Sequence, residues 1–336
     1  MKDAMRLHRE AVVVDTHCDT LKCLCPEFTR PKDSMWDDRS QLGMGERSEL
    51  GHVDITRLRE GGVDCQVFAI SSARARTPPF PLRTALDMID VFYSQCEKNK
   101  GAIQPVTTYD EIMSAVGEGK VAAILSIEGA DVIEGDVGML RVFHRLGVRM
   151  VGLVHSLRNL LADGVTDKRT GGGLSELGVE AVEELDRLGV IVDVSHISDQ
   201  GFWDVLEVVK GPIVASHSNS RAVCDHPRNL TDQMIKAIAD VDGVIGINFA
   251  PNFVHPTNAT VETLVDHIDY IVNLVGSEHV GLGSDFDGIP STPEGLEDVT
   301  RMPNITVELL RRGYEEGDVR KFLGGNYLRL IKRVVG

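Results

Sequence analysis

The chain has 336 residues, 42% of them apolar and 26% charged, with a formal net charge of −16. That is enough chain for a large core, and a surface so acidic repels phosphate backbones and anionic headgroups, which argues against a nucleic-acid or membrane-surface partner. No apolar run approaches the roughly 20 residues that span a bilayer.

The first ten residues, Met1 to Glu10, are rich in charge, and the apolar stretch after them, Ala11 to Val14, is too short for a secretory h-region. A cytoplasmic protein is therefore expected, with its six cysteines reduced. Cys23-Leu24-Cys25 lacks the spacer of a zinc knuckle and has no answering second pair, so each thiol reads as packing.

Short β-branched runs then recur along the chain at Val12–Val14, Cys65–Ile70, Val121–Ile127, Val148–Val154, Val190–Val194, Ile213–Ala215, Val244–Ile247 and Val280–Leu282. Continuous apolar strands of this kind are buried on both faces and belong to a parallel sheet. Amphipathic stretches stand between them: Thr84–Lys98, Tyr109–Glu118, Gly138–Leu146, Ser175–Leu188, Gln200–Val209, Thr231–Ala239 and Val261–Val275, with two more near Thr306–Arg312 and Asp318–Arg333. Asp199, Thr231 and Thr260 are candidate N-caps, and Gly119, Gly147, Gly189 and Gly276 candidate stops. Eight strands alternating with helices predict an α/β fold, a (β/α)8 TIM-type barrel filling residues 1–336 as one domain. A doubly wound open sheet is the alternative, without a Gly-rich phosphate fingerprint to support it. Two long strand-to-helix loops, Leu21–Gly51 and Ser156–Leu174, are candidate lids.

Polar residues gather where these strands end. Asp15-Thr16-His17-Cys18-Asp19 follows the first, Glu128 the third and His155 the fourth. Asp193-Val194-Ser195-His196 ends the fifth, Ser216-His217-Ser218 the sixth and Ser284-Asp285-Phe286-Asp287 the eighth. A barrel brings all of them to one mouth. His17 and Asp19 are two apart, so on extended chain both point the same way and can hold one metal. His196 and His217, from adjacent strands, can hold a second, with Glu128 giving one oxygen to each ion. Imidazole and carboxylate ligands suit two zinc ions and tolerate Mn or Fe. Two such ions about 3.5–4 Å apart can share a water and make it hydroxide near neutral pH. Asp15 and Asp193 fit supporting roles behind the ligands, and Asp287 either that or a turn before Gly288. His8, His52, His144, His267 and His279 read as ordinary hydrogen-bonded histidines.

These residues carry a resemblance to the membrane (renal) dipeptidase family, zinc metallopeptidases among the amidohydrolase-like barrels. It runs over nearly the whole chain, through VDTHCDT (14–20), SIEGA (126–130), VGLVHS (151–156), GVIVDVSHIS (189–198), VASHSNSRAVCDHPRNLTD (214–232), GLGSDFDG (281–288), PEGLEDV (293–299) and GNYLRL (325–330). The resemblance implies His17 and Asp19 as ligands of the first metal, His196 and His217 of the second, and Glu128 as the bridge. It further implies that His155 polarises the substrate, that Arg228 pairs with its carboxylate and that Asp285 is the acid/base. The implied substrates are short peptides, L-Xaa-D-Xaa or L-Xaa-Gly dipeptides and some β-lactam amides. A cyclic-amide hydrolase or a deaminase on the same barrel is the alternative, although several of those use a lysine carbamate where Glu128 stands. Relatives are often dimers, and a homodimer is an open expectation. One position departs: around NFAPNF (248–253) the family can carry a Tyr in the substrate pocket, where this chain has Phe253. The glycolipid anchor and disulfides of secreted members are not expected here.

Overall fold

The computed structural model describes residues 2–25, 39, 42–71, 81–167 and 169–336. Among the described residues nine strands form: β1 (Val14–Cys18), β2 (Cys65–Ile70), β3 (Ile103–Pro105), β4 (Val121–Glu128), β5 (Val148–Gly152), β6 (Ile191–Asp193), β7 (Val214–Ala215), β8 (Val244–Ile247) and β9 (Val280–Leu282). Every pairing is parallel, in the order β2-β1-β9-β8-β7-β6-β5-β4, and β2 also pairs with β4 over Cys65↔Ala122 to Ile70↔Ile127. That last pairing closes the sheet. The protein is an eight-stranded (β/α)8 barrel, and the open-sheet alternative is excluded.

β3 is a side branch. It pairs with the first residues of β4, Ile103↔Val121 to Pro105↔Ala123, while β5 takes the later ones, Leu125↔Val148 to Glu128↔Gly152. Three residues ending in proline carry no readable strand pattern.

The first strand corrects an expectation. The apolar run Val12–Val14 suggested a strand there, but β1 begins at Val14 and continues through Asp15, Thr16 and His17, all buried. Thr16 is satisfied inside the barrel, its hydroxyl shared between the carbonyls of Ser216 (2.5 Å) and Leu282 (2.8 Å). β1 also slips in register against β2 between Asp15 and Cys18, the kind of irregularity that re-aims a side chain at a barrel rim.

The helices follow their apolar stripes, and Thr231 and Thr260 cap Asp232–Asp240 and Val261–Val275 as expected. Asp199 is not a cap. Ser198 takes that position, its hydroxyl accepting from Gly201 N at 3.0 Å, and Asp199 becomes the first helical residue. The expected loop Leu21–Gly51 starts with a short helix, Thr20–Leu24, directly behind Asp19. Residues 26–38, 40 and 41 of that candidate lid lie outside the described residues. The other candidate lid is tied down by bridges between Ala162 and Leu174 and between Gly164 and Ile197.

The barrel interior divides along its axis. At the amino ends of the strands an apolar cluster of Val14, Cys65, Ile124, Met150, Ile191, Val214 and Val244 packs on Tyr327, Leu330 and Ile331 of the helix Asn326–Val334. The carboxyl ends hold the polar residues. Among the described residues no helix is long and apolar enough to cross a membrane.

Candidate active site

Parallel strands point their carboxyl ends the same way, so one face collects His17 and Asp19 from β1, Glu128 from β4, His155 past β5, His196 past β6, His217 past β7 and Asp285 past β9. Asp19, Glu128, His155, His196, Arg228 and Asp285 line one cavity of about 410 Å3, within the range of small-molecule sites.

Glu128 is the hub. Its Oε1 lies 3.1 Å from His196 Nε2, 3.5 Å from His17 Nε2, 3.6 Å from His217 Nε2 and 3.7 Å from His155 Nε2. His196 and His217 approach at 2.8 Å between their Nε2 atoms. Three sets of ligand atoms lie within 4.8 Å of one another: His17, Glu128 and His217; Glu128, His155 and His196; His17, Asp19 and Asp285. All five expected metal ligands are thus brought together, and His155 and Asp285 stand among them, within 4.8 Å.

These residues fit metal ions. Both ring nitrogens of His17 are buried without a hydrogen-bond partner among the described residues, a cost that a metal on one of them offsets. His196 and His217 are driven well below the usual imidazole range by burial, which keeps their lone pairs available. Burial opposes ionisation of Glu128, but Lys22, His155 and His17 hold it well below the usual carboxylate range. Asp285 is pushed up to about 6, chiefly by burial, with Asp19 and Glu128 adding to it.

The supporting residues act through short chains. Asp193 accepts from Ser216 Oγ at 2.5 Å, and that hydroxyl lies 2.7 Å from His217 Nδ1. Asp193 therefore orients the His217 imidazole through a serine. Asp15 instead fixes the end of β9, accepting from Ser284 N (2.8 Å) and Ser284 Oγ (2.6 Å). Asp287 faces away from the cavity and accepts from Thr20 Oγ1 (2.7 Å), Arg39 Nη2 (2.8 Å) and His52 N (2.5 Å).

Backbone strain concentrates here. His196 and Asp285 both have φ above +60°, a region that costs of order 1–3 kcal/mol for a side-chain-bearing residue and that cluster at functional sites. Gly288 must be glycine for another reason: a Cβ there would stand 2.0 Å from Asp19 Oδ2 and 2.5 Å from Asp285 Oδ1.

Arg228 is 8% exposed and donates to His217 O at 3.2 Å. Its guanidinium lies 5.6 Å from the Phe253 ring centroid, and its Nε has no hydrogen-bond partner among the described residues. No carboxylate among those residues forms an ion pair with it. Phe253 does line the cavity.

Two residues of the site were assigned no role from the sequence. Lys22 pairs with Asp19 Oδ1 and lies 3.2 Å from Glu128 Oε2. Asn248 Nδ2 donates to Asp285 Oδ2 at 3.0 Å. His52, expected to be an ordinary hydrogen-bonded histidine, is one: its Nδ1 accepts from Asp287 N at 2.9 Å. Only Asn248, at the end of the β8 run, carried a usable signal, since the other barrel strands also end in polar groups, β2 in Ser71, which lines the cavity.

A sequence profile described as membrane dipeptidase (peptidase family M19) matches residues 1–335. Dipeptidase tcpJ of Claviceps purpurea is 34% identical over 313 residues, spanning 90% of this chain and 73% of that one. An uncharacterized dipeptidase of Schizosaccharomyces pombe is 37% identical over 298 residues, 84% and 73% of the two chains. Among solved structures, a metallopeptidase of Rhodobacter sphaeroides liganded with a phosphinate mimic of L-Ala-D-Ala superposes with a TM-score of 0.86 at 31% identity, over 96% of this chain and 99% of the other. The probable dipeptidase PvdM of Pseudomonas aeruginosa gives 0.87 at 25% identity, over 99% and 98%. With the polar strand ends, closed barrel and end-to-end likeness in agreement, the chain belongs to the membrane dipeptidase family, metal-dependent hydrolases of the peptide bond.

Proposed function

We propose that the protein is a binuclear-zinc dipeptidase that cleaves L-Xaa-D-Xaa or L-Xaa-Gly dipeptides. The observation that carries the reading is Arg228: a buried guanidinium with no carboxylate partner among the described residues, in the cavity that also holds the His/Asp/Glu cluster. An uncompensated buried cation is costly unless a ligand brings the missing anion. The carboxylate end of a short peptide is such an anion, and a planar guanidinium takes it in two parallel bonds. Anchored there, only a short substrate reaches the cluster with its scissile amide, so Arg228 selects for length.

His17, Asp19 and Glu128 would hold one metal and Glu128, His196 and His217 the other. When bound, such ions polarise a carbonyl and acidify a water. His155, beside Glu128 and stacked on His196 with ring centroids 4.3 Å apart, donates to the carbonyl oxygen as negative charge grows on it. Asp285, oriented by Asn248, takes a proton from the attacking water and returns it to the leaving nitrogen. Phe253 gives the carboxylate end an apolar wall without a hydroxyl donor. The choice of a D second residue is supported by the L-Ala-D-Ala mimic in the R. sphaeroides relative.

The test is a dipeptide library, L,D and L,L, with and without chelator, following released amino acid. Chelator-sensitive cleavage that is lost when the C-terminus is amidated is expected. Cleavage of ring amides or release of ammonia, with dipeptides left intact, would overturn the reading.

A further inference from the structure

The carboxylates of the first metal position already face a cation that the chain itself supplies. The helix Thr20–Leu24 starts one residue past Asp19, so its i+3 spacing turns Lys22 back over that ligand. Lys22 is 5% exposed, and its ammonium pairs with Asp19 Oδ1 and stands 3.2 Å from Glu128 Oε2. Each carboxylate is divided between two tasks. Glu128 turns Oε1 to the imidazoles and Oε2 to Lys22; Asp19 turns Oδ2 toward His17, 3.7 Å away, and Oδ1 to Lys22.

We infer that Lys22 is a resident counter-ion of the first metal position, competing with the metal for Asp19 and Glu128 and making the two sites unequal in affinity. This rests on the binuclear reading above. Asp19, Glu128 and Asp285 crowd negative charge into one buried group, and the ammonium offsets it through its contacts to the first two. An ion that takes Asp19 and Glu128 must first break the ammonium's contacts to both. Lys22 has somewhere to go: it lines the 410 Å3 cavity, and its four-carbon stem is flexible. The second position carries no such cost. There Glu128 meets imidazoles through Oε1, and a neutral imidazole gives up its lone pair without an ion pair being broken. Binding is therefore stepwise, the His196/His217 side first. Charge-assisted hydrogen bonds of this kind correspond to a factor on the order of tenfold or more.

The experiment is zinc titration of chelator-stripped protein by calorimetry, with bound metal counted by elemental analysis after dialysis. Wild type should bind one zinc tightly and a second about tenfold or more weaker. Lys22→Met should tighten the weaker site until the gap shrinks by about that factor, whereas Lys22→Arg, which keeps the charge, should preserve it. Two equal sites in wild type, or the same gap in Lys22→Met, overturns the inference and leaves the binuclear reading standing. Fewer than two zinc ions in every protein overturns both. Should Lys22→Met not fold, amine-reactive footprinting of wild type decides: labelling of Lys22 should rise on zinc saturation, and unchanged labelling overturns the inference.

Discussion

Replacing Arg228 by Met separates its effect on the substrate's charge from its effect on the fold. The side chain is nearly as long and apolar, so it can keep the Phe253 contact while removing the cation. Removing one member of a desolvated charge pair costs about 2–5 kcal/mol. The cavity is open to water on the substrate side, which lets the carboxylate recover some hydration, so the lower part of that range applies. About 2–4 kcal/mol corresponds to a loss of about 30- to 1,000-fold in kcat/KM. His217 should stay in place, because its carbonyl also accepts from Asn248 Nδ2 at 3.3 Å. The assay compares kcat/KM for a dipeptide and its C-terminal amide in both proteins, with metal content measured alongside. The amide has no charge for Arg228 to bind, so the variant should lose less than about threefold on it. An equal loss on acid and amide, at full metal content, would show that Arg228 does not read the carboxylate.

Three further outcomes are expected. With Asp285 held at about 6, its base form disappears as pH falls, so kcat/KM should drop about tenfold per unit below that value; Asp285→Asn should cut kcat by about 10²- to 10⁴-fold at full metal content, and a persisting acid limb in its residual rate would assign that limb elsewhere. Gly288→Ala drives a methyl into Asp19 Oδ2 and should weaken zinc binding at least tenfold, with an unchanged titration refuting the crowding argument. Asp64, whose Oδ2 accepts from Val13 N at 2.9 Å, is pushed up to about 6 by burial. A raised carboxyl contributes stability below its unfolded value near 4 and loses it as pH rises through 6. Asp64→Asn should therefore be more stable than wild type by about 1–2 kcal/mol at pH 7.5, after discounting for partial exposure, and show a smaller gain at pH 4.5; equal differences in urea midpoint at the two pH values would refute it.

What could be read in the sequence was what sits next in line to a hydrophobic run. Glu128, His217 and Asp285 each close a β-branched stretch, so parallel strands alone place them together. β1 was drawn too early because its buried residues Asp15, Thr16 and His17 are polar, and the chemistry that makes them useful erases the strand's apolar pattern. Lys22 was invisible because its meaning depends on Glu128, 106 positions away, although its spacing from Asp19 was in plain view. Ser198 replaced Asp199 as the cap because both residue types suit the position and only backbone geometry chooses between them. The barrel's closure is carried by the pairing of β2 with β4, and strand counting carries no information about pairing.

The seam between β1 and β9 has a temporal consequence. These are the first and last barrel strands to leave the ribosome, yet they lie side by side at Asp15↔Leu282, and the group formed by His17, Asp19 and Asp285 straddles their junction. More than 250 residues separate the two halves of that group, so during synthesis it exists in no partial product. The His17–Asp19 pair waits through the making of seven other strands before its partner arrives. A site that needs all three residues thus reports that the ring has been sealed, and loss of peptide cleavage on denaturation should coincide with loss of that one seam.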